Sequence, residues 1–170
     1  MTTQRLRLLT LLTTIGLLLT ALLVNHQALF GEATPKQSLE GLLKKAGFEY
    51  MKKDDVYKIP VEIEDETTIV YGAEESPFND ADSKCAILTT FPLTLPEGKK
   101  PSAAMLRKIA EMNSSIWSGR IGYDAEGNYI VYNSTIWLSG ADAHTLSLEL
   151  CLAHSMRKQI KKELQPFVSE

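Results

Sequence analysis

Two cysteines and three histidines are all that this 170-residue chain contains of the residues that most often carry metals and redox chemistry. Cys85 and Cys151 stand far apart, and no Cys-x-x-Cys pair exists, which excludes a zinc knuckle and a thioredoxin-type motif. His26, His144 and His154 include no pair three or four residues apart, the spacing that brings two imidazoles to one metal on a helix. No glycine-rich phosphate loop occurs. Ser114, Ser115, Ser118, Ser134 and Ser139 lack the Gly-x-Ser-x-Gly setting of a hydrolase nucleophile. Positive charge is in deficit: 18 Lys and Arg against 21 Asp and Glu leave a net charge of −3. Such a chain has no electrostatic reason to seek a nucleic-acid backbone.

What is present begins at the N-terminus. Arg5 and Arg7 precede a run from Leu8 to Val24 that carries no charge and is rich in Leu and Thr. Positive charge followed by an apolar run is the pattern of an export signal or a membrane anchor. Gly31-Glu32-Ala33 places small residues at the −3 and −1 positions of a signal-peptidase cut after Ala33. Cleaved signal and retained anchor stand as alternatives. Under either, the expected location is the cell envelope on the extracytoplasmic side, with membrane contact only if the segment is kept. The expected division is therefore 1–33 signal or anchor, 34–37 linker, and 38–170 a single domain, a length that suits one core.

Within 38–170 the periodicities alternate between helix and strand. Ser38 is a cap for a helix to Ala46, with Leu39, Leu42, Leu43 and Ala46 on one face and Gly47 as its stop. Val56 to Ile63 alternates, with Tyr57, Ile59, Val61 and Ile63 on one side, and Pro60 marks an edge or a bulge. Thr67 to Ala73 is a second strand and Glu74 to Lys84 a polar loop. Cys85 to Leu95 is a third strand, with Cys85, Ile87, Thr89, Phe91 and Leu93 on one side. Ser102 caps a helix to Met112, with Met105, Leu106, Ile109 and Ala110 in its apolar stripe. Ile116–Tyr123 and Asn128–Trp137 form a hairpin whose turn takes its left-handed residue from Gly127. Ser139 to Asp142 has the form of a capping box for a long last helix that ends at Pro166. The expected class is α+β: helix, three-stranded antiparallel meander, helix, β-hairpin, long C-terminal helix.

Three stretches give this order a resemblance. Leu106-Arg107-Lys108-Ile109-Ala110-Glu111-Met112-Asn113 is one. Gly119 to Asp124 with Gly127 to Val131 is the second, and Leu138 with Asp142 the third. Together they resemble the type III secretion chaperone-like fold and, within it, the bacterial YbjN family. The resemblance implies a protein-interaction module, often a homodimer, whose partners bind in extended form across helix-and-sheet grooves and in part by adding a strand.

The remaining candidates are weighed against plainer roles. Trp117, Trp137, Tyr57 and Ile59 are candidate partner contacts, with the sheet face or core as the alternative for the tryptophans. Cys85 and Cys151 are a candidate disulfide, against two separate buried thiols. Asp80-Ala81-Asp82-Ser83-Lys84 fails the calcium-loop pattern at its fifth position, so the acidic residues there read as a solvated loop. No catalytic residue, cofactor or metal site is expected. The expected function is a non-enzymatic, exported or membrane-tethered interaction domain with an unidentified protein partner. The alternative is a small-ligand or lipid carrier with a cavity between the sheet and the last helix.

Overall fold

The computed structural model describes residues 37–78 and 83–168. The segment 1–33 with its cut after Ala33, His26, residues 34–36 of the linker and residues 79–82 of the acidic loop lie outside the described residues.

The first helix, α1, spans Leu39–Ala46. The Ser38 hydroxyl accepts a hydrogen bond from the Gly41 amide, and Gly47 ends the helix at φ 76°, a conformation that glycine adopts without steric cost. Leu39, Leu42 and Leu43 are fully buried. The Leu39 amide donates to the Glu74 carboxylate at 2.8 Å, which fastens the start of α1 to the sheet.

Six strands follow: β1 Met51–Lys53, β2 Val56–Ile63, β3 Glu66–Glu75, β4 Cys85–Thr94, β5 Arg120–Asp124 and β6 Tyr129–Trp137. Helix α2, Ala103–Ser115, lies between β4 and β5 in sequence, and α3, Ala143–Leu164, follows β6. The strands form one antiparallel sheet in the order β1-β2-β3-β4-β6-β5. The class is α+β, as the sequence indicates. β1 escapes sequence reading because Met51, Lys52 and Lys53 are all exposed and carry no apolar alternation. β2 has the predicted bounds, and β3 is longer than predicted at both ends.

The core lies between one face of the sheet and the helices. Leu146, Leu150, Ala153, Ile160 and Leu164 of α3 pack over β2, β3, β4 and β6, which contribute Ile59, Val70, Leu88, Ile130 and Tyr132. Burying each large apolar side chain contributes about 1.5–3 kcal/mol before the entropy cost.

Four local expectations are corrected. In β4 the buried face is Ala86, Leu88 and Thr90, while Ile87, Thr89 and Phe91 look outward. The ladder steps from Thr90↔Tyr132 to Leu93↔Ile130, so one extra residue on β4 makes a bulge that turns Leu93 and Leu95 inward. In the β5–β6 turn the left-handed residue is Asn128, at φ 57°. Gly127 is favoured for another reason, since a Cβ there would collide with the Tyr129 ring. Asp142 itself caps α3, accepting from the Thr145 amide at 2.7 Å. In α2, Leu106 and Ala110 are exposed, and the buried stripe is Met105, Ile109 and Met112.

Candidate functional site

The two edges of the sheet differ. β5 forms one edge, and one of its residues, Ile121, is occupied. The Asn113 side chain of α2 donates to the Ile121 carbonyl at 2.9 Å and accepts from the Ile121 amide at 2.8 Å. One side chain thus replaces a neighbouring strand at that residue.

The other edge is open along most of its length. β1 pairs only with Val56, Tyr57 and Lys58, so among the described residues β2 has no outer neighbour from Ile59 to Ile63. Pro60 lies in this stretch, which agrees with the edge position it marks in the sequence. Backbone groups alternate sides along an antiparallel strand, and Pro60 has no N–H to give β3. Two-residue turns at Asp54-Asp55 and Glu64-Asp65 set the same alternation from both ends. The outward groups of the uncovered stretch are therefore the Pro60 carbonyl and the Glu62 amide and carbonyl.

At the Ile63 end this edge runs into charged ground beneath the C-terminal half of α3. A surface hollow of about 580 Å³ is lined by Ile63, Glu64, His154, Lys158 and Lys162 among others. A neighbouring hollow of about 490 Å³ shares Lys158 and Lys162 and adds Glu66, Arg157 and Lys161. Lys158 pairs with Glu66 at 3.0 Å, and Glu163 pairs with Lys108 of α2 at 2.8 Å. Lys158 holds the Glu66 carboxyl below its usual range, first by its hydrogen bond and then by its charge. Arg157, Lys161 and Lys162 make no ion pair among the described residues. His154 is only 5% exposed, and its Nδ1 has no hydrogen-bond partner. The position of these basic residues beside the β2–β3 turn emerges only in three dimensions.

Of the four candidate contact residues, the structure exposes two. Trp117 is 85% exposed, in the link between α2 and β5. Trp137 is 48% exposed, and its ring stacks on Phe78 with centroids 6.1 Å apart. Tyr57 and Ile59 are 4% and 0% exposed, so side-chain contact with a partner is withdrawn for these two. Their strand would meet a partner through its backbone. Cys85 and Cys151 are both free thiols, the first buried and the second exposed, in place of a disulfide or two buried groups. Burial, and after it the charge of Glu75, pushes the Cys85 thiol upward. His144 is exposed. Among the described residues no three His, Cys, Asp or Glu side chains are grouped to hold a metal.

No family model matches the chain, and no curated protein does. Solved structures similar to the chain include two chaperone complexes. One is the HopA1–SchA chaperone–effector complex, at 12% identity and a TM-score of 0.48, covering 73% of this chain and 90% of that one. The other is the Yersinia pestis type III secretion chaperone SycH in complex with a stable fragment of YscM2. It has 15% identity and a TM-score of 0.43, covering 72% of this chain and 95% of that one. The expected cell-envelope location is corrected at this point. No helix among the described residues is long and apolar enough to cross a membrane.

Proposed function

We propose that the domain is a non-enzymatic protein-interaction module, YbjN-like in kind, that holds an extended segment of a partner polypeptide along the outer edge of β2. One observation carries this: among the described residues β2 lacks an outer neighbour from Ile59 to Ile63, whereas Asn113 occupies the opposite edge at Ile121. An added strand would satisfy backbone groups that otherwise face water. The exposed Trp117 and Trp137 offer further contact area, and a second copy of the chain is one partner that would fit. Supporting the non-enzymatic reading, the histidines are dispersed and the Cys85 thiol is buried and kept protonated. A small-ligand carrier has less in its favour, because the two hollows beside α3 are lined mainly by charged and polar side chains.

The test uses extended peptides selected for binding to the full chain, with amide exchange measured residue by residue. Slowed exchange at the Glu62 amide is expected. Glu62→Pro removes that outward N–H while the pairing with β3 stands, as Pro60 already demonstrates at the same parity. It is expected to abolish binding with the far-ultraviolet circular dichroism unchanged. Undiminished binding by Glu62→Pro, or protection confined to another surface, would overturn the proposal.

A further inference from the structure

We infer that the segment bound along β2 carries carboxylate side chains immediately beyond its strand, and that these sit between the β2–β3 turn and α3 against Lys162, Lys161 and Arg157. The inference rests on the edge reading above and names the chemistry of the partner.

Three observations lead to it. First, the uncovered stretch of β2 is short. It offers three outward backbone groups, too few to select a partner without help from side chains. Second, the stretch opens at Ile63 directly into the hollow lined by Lys158 and Lys162, so a bound strand that continues past Ile63 enters it. Third, charge there is out of balance. Across the two hollows Glu66 is taken by Lys158 and Glu163 by Lys108, which leaves Arg157, Lys161 and Lys162 without an ion pair among the described residues and Glu64 as the one carboxylate of the lining not so taken.

The helix dipole accounts for Lys161 and Lys162, which stand in the last turn of α3. It does not account for Arg157 a turn earlier, since the effect fades beyond the last turn. In a chain whose net charge is −3, such a local excess of cations is a feature that an acidic segment complements and a basic one does not. His154, which lines the same hollow, has a buried Nδ1 without a partner among the described residues.

The experiment uses fluorescein-labelled peptides and the full chain, read by fluorescence anisotropy. The probe is Val-Thr-Val-Thr-Val joined to Asp-Glu-Asp-Glu, with the acidic tail at either end because a strand can run both ways along an edge. The comparison peptide carries Asn-Gln-Asn-Gln instead. The acidic peptide is expected to bind about tenfold more tightly, as two or three exposed ion pairs give. The advantage is expected to shrink between about 50 mM and 500 mM salt. It is also expected to vanish in the double variant Lys161→Glu, Lys162→Glu and to survive in Lys99→Glu, Lys100→Glu, which changes charge away from the groove. Equal affinity of the two peptides leaves the edge reading standing and overturns this one. An advantage that survives charge reversal at Lys161 and Lys162, or is lost equally at Lys99 and Lys100, also overturns it. Binding of neither peptide overturns both readings together.

Discussion

Asn113 closes both backbone hydrogen bonds of Ile121, donating to its carbonyl and accepting from its amide. Replacement of Asn113 by Ala leaves two partly buried backbone groups of an edge strand without their partner. The expected loss in unfolding free energy is about 1–3 kcal/mol. Chemical denaturation measures the loss, and the Ile121 amide should exchange faster. An Ile121 amide as protected in the variant as in the parent would show that the bond is not what holds it.

Gly72 lies in the middle of β3 beneath α1. A Cβ at that position would stand 2.7 Å from the Leu39 Cδ2. Gly72→Ala is therefore expected to destabilise the domain by about 1–3 kcal/mol through overpacking. The collision is with one side chain, so a double-mutant cycle with Leu39→Ala should show coupling, the second change costing less once the first is made. Strict additivity would mean that the strain lies elsewhere.

Tyr132 is fully buried, and its hydroxyl donates to the Ser118 carbonyl at 3.0 Å. Burial, and after it the charge of Glu149, pushes the phenol up to about 12. A raised folded-state pKa contributes stability that is fully present below the unfolded value near 10 and is lost as pH rises toward 12. Tyr132→Phe loses the hydrogen bond and should be less stable at pH 7 by about 1 kcal/mol. Its deficit should narrow above pH 10, where only the parent meets the cost of ionising this buried phenol. Denaturation curves at several alkaline pH values provide the check, and a constant gap from pH 8 to 12 would contradict it.

Trp117 is expected to matter for binding and not for folding. It is 85% exposed, so Trp117→Ala should change the unfolding free energy by no more than about 0.5 kcal/mol. A larger loss would place the ring in a contact that its exposure does not suggest.

Sequence reading recovered those elements whose apolar spacing follows a single period. Helix α1 and β2 are of this kind. Where a local irregularity changes the period, the pattern misleads. The bulge beyond Thr90 makes Leu93 face inward along with Leu88, although they stand an odd five positions apart, and reading from Leu93 backward selects the wrong face of β4. β1 has no period at all, because both its faces are wet. The site was less legible than the fold. Pro60 signalled an edge, but nothing in the sequence shows that β1 stops short or that Asn113 reaches Ile121. The basic groove depends on bringing residues 63–68 beneath residues 154–165, a long-range contact with no local signature.

The difference between the two edges of the sheet also governs assembly. Head-to-tail stacking of sheets requires the β5 edge of one molecule to meet the β2 edge of the next, and it repeats without limit unless one edge is closed. Asn113 closes one, at Ile121. A molecule that engages through β2 has then spent its available edge, whether the occupant is a foreign segment or the β2 of a twin. Association through β2 would then favour a pair, with one amide side chain standing against further growth at Ile121.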